Sequence, residues 1–132
     1  MSAAISPRQA AAALTGYGSP RVVGELEDSY LKVAKVLGTF GWHRHDDEDE
    51  LFLILAGHLR IELEGGAVEL AEGGLFVVPK GVRHNPVAQA ECLILLIERK
   101  STRHTATRSP TGRARSRSSW GAADRRAQRL SG

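Results

Sequence analysis

The chain has a single cysteine, Cys92, so no intrachain disulfide can staple it, and a small disulfide-built secreted scaffold is excluded. Cys92 lies in an apolar run, which points to a buried structural thiol rather than a reactive one. Aromatic residues are equally scarce, 5% of the whole, and this removes the stacking platforms on which single-stranded nucleic acids are bound. Long hydrophobic runs are missing too. The longest, Leu51–Ala56 and Cys92–Ile97, are of strand length, far short of the roughly 20 residues of a membrane span. The N-terminus carries no basic segment followed by an apolar core, so no secretory signal is read and a cytoplasmic protein is expected.

What remains is ordinary globular composition, 42% hydrophobic and 25% charged over 132 residues, with room for one domain. The net charge of +3 conceals two unlike parts. Through Glu98 there are 8 Lys/Arg against 14 Asp/Glu, net −6; from Arg99 onward there are 10 Lys/Arg against Asp124 alone, net +9. The Arg/Ser-rich stretch 99–132 is too poor in large apolar residues to offset chain entropy and is expected to be disordered. Its basic charge suits phosphates, but no recognition helix or aromatic platform accompanies it, and specific nucleic-acid binding is not expected. His104 lies there and is given no role. The abrupt charge reversal also has the look of sequence read in a shifted frame. At the other end, residues 1–19 are alanine-rich, and Ser6 followed by Pro7 predicts a short capped helix.

Between them, residues 20–98 follow a period of two. "RVVGEL" and "SYLKVAKVLGTF" read as strands, the second with Tyr30, Lys32, Ala34 and Val36 on one face and Leu31, Val33, Lys35 and Leu37 on the other. Further short strands follow, separated by glycine turns at Gly57, Gly65-Gly66 and Gly73-Gly74, and the last runs from Cys92 to Ile97. Short strands at this spacing predict an all-β antiparallel sandwich or barrel.

The chemistry gathers around "GWHRHDDEDELFLILAG". His43 and His45, two apart, face the same way on an extended chain. Glu50 follows and shares a face with Phe52 and Ile54. His84, just past a turn shaped by Pro79 and Gly81, offers a third imidazole. Three nitrogens and a carboxylate oxygen brought together from separate segments make a metal-ligand set. An HxH pair alone is weak evidence, and an acidic run such as Asp46–Glu50 is usually a solvated loop. His58, alternating with Leu59 and Ile61, reads as a surface residue. Trp42 falls opposite His43 and is expected to pack on the N-terminal segment or a second subunit. Phe52, Ile54, Phe76 and Val78 read as core that could line a cavity. Lys80 and Arg83 read as turn charges, with capture of an anionic ligand the less favoured reading. No carboxylate or histidine outside the set stands out as a general base.

The spacing resembles the two motifs of the cupins. His43-x-His45, four residues, Glu50, six residues and Gly57 match the first, except that four residues separate Gly38 from His43 where the family has five. Gly73, five residues, Pro79-x-Gly81, two residues and His84 match the second, with Ala88 at the final position where the family has asparagine and Asn85 close by. The segments Trp42–Phe52 and Val77–His84 are similar to those of small single-domain cupins labelled mannose-6-phosphate isomerase-like, a label that does not establish sugar isomerisation. The resemblance implies an all-β, small antiparallel jelly-roll-like barrel over residues 20–98 and a metal held by His43, His45, Glu50 and His84. The expected ion is one divalent transition metal per chain: Fe, Mn, Ni, Co, Cu or Zn. It implies a homodimer and a small-molecule ligand or substrate. Two functions follow: a metalloenzyme of dioxygenase or isomerase type, or a noncatalytic ligand-binding module serving as sensor or store. Fold does not decide between them.

Overall fold

The computed structural model describes residues 3–102; most of the tail from 99 to 132 therefore lies outside the described residues. One helix, α1 (Pro7–Ala12), precedes seven strands: β1 (Arg21–Leu26), β2 (Ser29–Thr39), β3 (Glu50–Ala56), β4 (Leu59–Leu63), β5 (Gly66–Leu70), β6 (Leu75–Val78) and β7 (His84–Arg99). The helix starts as its sequence predicts. Ser6 Oγ accepts from the Gln9 backbone N–H at 3.2 Å, and Pro7 occupies the first turn, where its missing N–H costs nothing. Among the described residues no helix is long and apolar enough to cross a membrane.

All pairings are antiparallel, in the order β1-β2-β7-β3-β6, with β4 joining β7 and β5 joining β4. β7 is therefore common to every part of the barrel except the outermost strands. Its first half pairs with β4, from Leu63↔His84 to Arg60↔Val87. Its second half lies between β2 and β3. The sequence reading begins this strand only at Cys92, because Asn85-Pro86 looks like a turn. In the structure Pro86 sits opposite Ile61, and its carbonyl accepts the Phe40 N–H at 3.0 Å, so the ladder continues through it. The bend falls later. β2 advances two residues, from Val36 to Gly38, while β7 moves from Cys92 to Ala88, a bulge that turns the strand from one half of the barrel to the other.

Alternation sorts the side chains onto two faces. Inside lie Ala34, Val36, Phe52, Ile54, Ile94 and Leu96, joined by Leu59 and Ile61 of β4. Outside, Val33, Leu93 and Leu95 are covered by Ala11 of the helix, with Leu14, Leu53 and Leu55 alongside. Both faces of β2 and β7 are thus apolar, as strands buried on both sides must be. Two rows cross the inner face. One reads Tyr30, Glu98, Glu50, Val78; the next reads Lys32, Leu96, Phe52, Phe76. Three charged groups therefore stand among the core residues.

Gly57, which follows β3, has φ +94, and a Cβ there would lie 2.9 Å from the Glu91 carbonyl oxygen and 3.2 Å from Cys92 Cα. Gly65, in the β4–β5 turn, has φ +89 but nothing within 4 Å of such a Cβ. The two glycines separate backbone strain from steric exclusion. Gly65→Ala should cost about 1–2 kcal/mol for the left-handed backbone alone. Gly57→Ala should cost at least about 3 kcal/mol, since the bulge of β7 must also move. Urea unfolding of both variants checks this; equal losses would show that the close approach at Gly57 is relieved at no cost.

Candidate metal centre

The loop between β2 and β3 is irregular rather than a continuation of either strand, and it is tied to the chain before and within β7. His43 and His84 exchange backbone hydrogen bonds, 2.9 Å from the His43 N–H and 2.8 Å from the His84 N–H, forming a one-residue bridge. The Gly81 N–H donates to the His45 carbonyl at 2.7 Å, and the Lys80 N–H donates to Asp49 Oδ1 at 2.9 Å. Two histidines two residues apart do face the same way here, but the bridge sets their direction, not a strand.

Asn85 holds the start of this loop. Its Oδ1 accepts from the Gly41 N–H at 2.7 Å and from Thr39 Oγ1 at 3.0 Å, and its Nδ2 donates to Glu62 Oε1 at 2.9 Å. Gly41 in turn accepts from His43. The His43 Nδ1 lies 3.0 Å from the Gly41 carbonyl, and the His84 Nδ1 lies 2.9 Å from the Val82 carbonyl. A carbonyl only accepts, so each Nδ1 carries a proton, and in the neutral tautomer the lone pair lies on Nε2.

All four residues read from the sequence come together, and all are buried: His43 8%, His45 8%, Glu50 5% and His84 1% exposed. Donor atoms of His43, His45 and Glu50 lie within 4.8 Å of one another, a group that could hold a metal ion. His84 closes in from the side of Glu50 and His43. Its Nε2 is 3.6 Å from Glu50 Oε1, and its ring centroid is 4.2 Å from that of His43 but 6.2 Å from that of His45. His45 Nε2 is 3.5 Å from Glu50 Oε1. Both Glu50 Oε1 and His84 Nε2 are fully buried with no hydrogen-bond partner. In the neutral tautomer two buried acceptors would face each other here, which is costly; a proton on His84 Nε2 or a cation between the two removes that cost. Donors bound to one ion at ~2 Å stand at most about 4 Å apart, so the His45–Glu50 and His84–Glu50 separations suit one ion.

The electrostatics of His43 and Glu50 favour the forms that coordinate a metal, while those of His45 favour its protonated form. Burial, with His84 next in effect, pushes the His43 imidazole down to about 3 despite the opposing pull of Glu50, so it is neutral and available for coordination. Burial also works against a charge on His45, but the adjoining Glu50 carboxylate outweighs it and raises the imidazole above its ordinary value. Glu50 itself resists a burial effect that would raise it; His45 and His84 hold it well below the usual carboxylate range.

Around the cluster, Phe40 meets the His43 ring edge-on at 4.4 Å and Phe52 lies 6.2 Å from the His84 ring. The remaining expectations fall on the surface. His58 pairs with Glu69 at 3.1 Å. Arg83 pairs with Glu64 at 3.1 Å and lies over the Trp42 ring at 5.3 Å. Cys92 is fully buried, its thiol pushed up by burial to about 12. One feature escaped the sequence reading: Glu98, 2% exposed, stands on the inner face opposite Glu50 and is paired with Lys32. The barrel does hold a carboxylate outside the ligand set. Its signal was phase, since Glu98 continues the inward series Cys92, Ile94, Leu96 beyond the point where the strand was taken to end.

Residues 32–98 match the family model described as "Cupin domain". The chain is 34% identical over 80 residues, 59% of its length and 70% of the other, to the uncharacterized protein YdbB of Bacillus subtilis. Among solved structures it is similar to a cupin-2 domain containing protein from Shewanella frigidimarina, with 38% identity, TM-score 0.70, and 73% of this chain and 94% of that one covered. It is also similar to protein NMB1881 from Neisseria meningitidis, with 30% identity, TM-score 0.68, and 74% and 100% covered.

The depressed values of His43 and Glu50 make stability depend on pH. His43 in the unfolded chain binds a proton below about 6.5 while the folded one resists down to about 3, so stability is lost as pH falls between them. Glu50 adds a further loss below its ordinary value of 4.5. His45, raised, acts oppositely: its contribution is full below 6.5 and lost as pH rises through its folded value. Urea unfolding from pH 6.5 to 4 should show a decline of about 1.4 kcal/mol per pH unit for each differentially bound proton, and His43→Leu should flatten its upper part. An unchanged slope in that variant would show that His43 is not its source.

Proposed function

The chain belongs to the cupin-domain family, and from that membership we propose that it is a metalloenzyme acting on a small molecule. One divalent transition-metal ion would be held by His43, His45, Glu50 and His84. The observation that carries the proposal is the facing pair of buried atoms Glu50 Oε1 and His84 Nε2, neither of which has a hydrogen-bond partner. The metal, when bound, supplies Lewis-acid polarisation or, if redox-active, oxygen chemistry, which suits an isomerase or a dioxygenase.

The chain's own residues do the rest. The Gly41 and Val82 carbonyls fix the rings of His43 and His84 in one tautomer, so their lone pairs need no reorganisation when a ligand arrives. Asn85 anchors the Gly41 end of the loop. Phe52, a core residue whose ring lies 6.2 Å from that of His84, gives the cluster an apolar neighbour, and excluding water there strengthens each electrostatic contact within it.

We also propose a homodimer. β6, at the end of the sheet order, exposes Leu75 (54%) and Val77 (41%), which pair with Leu53 and Leu51 on the same outer face. An apolar edge strand of this kind favours a protein partner over water. Sedimentation should give a dimer for the wild type and a monomer for Leu75→Asp/Val77→Asp; a monomeric wild type would remove the proposal.

The metal proposal is tested by elemental mass spectrometry of protein purified without a polyhistidine tag. About one equivalent of a transition metal is expected in the wild type, and less than about a tenth of that in His43→Ala/His84→Ala, two of its ligands being gone. Oxygen uptake with candidate small molecules then separates oxygenase from isomerase chemistry. Saturable binding without turnover would replace the enzyme with a ligand-binding module. A folded wild type that stays empty when metals are supplied would end the metal reading.

A further inference from the structure

The ion pair of Lys32 and Glu98 has no part in the ligand set, yet it stands beside it inside the barrel. Glu98 is directly opposite Glu50 in the β3–β7 ladder, and the two carboxylates are 2% and 5% exposed. Like charges directly opposite one another on adjacent strands oppose pairing, and low local dielectric makes the repulsion stronger. The position does not demand a charge, since Cys92, Ile94 and Leu96 fill the same face with apolar groups. Nor does the pair account for itself by stability. Lys32 Nζ donates to Glu98 Oε2 at 2.5 Å with the two side chains 14% and 1% exposed, and a buried ion pair of this kind gains little over apolar residues of the same size.

The geometry relates the pair to the centre. Lys32 lies one row away from Glu98, opposite Leu96, which faces Phe52, so it reaches Glu98 diagonally and stands farther along the sheet from Glu50. Across the sheet, Glu98 on β7 therefore lies between Lys32 on β2 and Glu50 on β3.

We propose that Glu98 is a positioning residue for the metal centre: its fixed negative charge beside Glu50 strengthens the hold on a divalent cation, and Lys32 sets how much of that charge the cation feels. The inference rests on the metal reading above. It makes the inner end of the barrel a graded electrostatic device, with a ligand carboxylate, a second carboxylate behind it and an ammonium behind that.

The test uses Co2+ as probe, with full-length, tag-free protein at one pH, measuring affinity by chelator competition and the visible absorption of the bound ion. Glu98→Gln should bind about tenfold more weakly, the scale of outer partners of metal ligands. Lys32→Met should bind about tenfold more tightly, and Lys32→Met/Glu98→Gln should return to within about threefold of wild type. Glu98→Asp, which keeps the charge, should stay within about threefold of wild type, with its Co2+ spectrum retained. A merely structural role would weaken all the variants together, in step with their thermal unfolding before metal is added. Equal affinity in Glu98→Gln and wild type, or weakening in Lys32→Met, would overturn the inference. The contrast between Glu98→Gln and Glu98→Asp decides it even if Lys32→Met does not fold. Wild type that takes up no Co2+ would instead remove the metal reading itself.

Discussion

A carboxylate at Glu50, cut off from water, is the constraint around which this barrel is arranged. Its charge is kept in the folded state only because imidazoles stand on two sides of it, and those imidazoles arrive from a loop and from a strand 34 residues further along the chain. The cost of such a group without partners is several kcal/mol. Everything that fixes the loop between β2 and β3 therefore serves one end. The backbone bridge at His43 and His84, the Gly81 bond to the His45 carbonyl and the Asn85 clamp on Gly41 hold donors where Glu50 can be met. The tautomers are fixed by the same backbone, so the lone pairs converge instead of being absorbed by neighbouring donors.

Much of this was legible in the residues. Alternation in Ser29–Thr39 separates inward Ala34 and Val36 from outward Val33, and the structure keeps that division. The helix start at Ser6-Pro7 is local chemistry and is found where the residues place it. That these four residues come together was legible because spacing and turn chemistry survive in one dimension: two histidines two apart, a glutamate at the start of a strand, a third histidine after Pro79 and Gly81.

The illegible parts are those that depend on pairing across the sheet. Nothing in "HNPVAQAE" says that it continues an apolar strand, because proline and asparagine ordinarily interrupt one. The ladder absorbs both, Pro86 through its carbonyl and Asn85 through its side-chain amide. Glu98 was hidden for the same reason. At the end of an apolar run a charged residue reads as the point where the chain meets solvent; its phase with Cys92, Ile94 and Leu96 points inward, and the register that sets it against Glu50 and Tyr30 makes it interior. Lys32 was assigned to the correct face, but its burial depends on a partner 66 residues away.

The shared role of β7 has a consequence for how the molecule is made. His84 opens this strand and Glu98 lies one residue from its end, while β2, β3 and β4 all hydrogen-bond to it. During vectorial synthesis those three strands emerge first, with ladder edges that only β7 can satisfy. Until the chain is made through residue 99, β2 and β3 lack the second half of the strand that pairs with them, although His84 is already present. Glu98 and Ile97, the partners of Glu50 and Leu51 in the ladder, come last, so burial of the Glu50 carboxylate waits on the final residues of the strand.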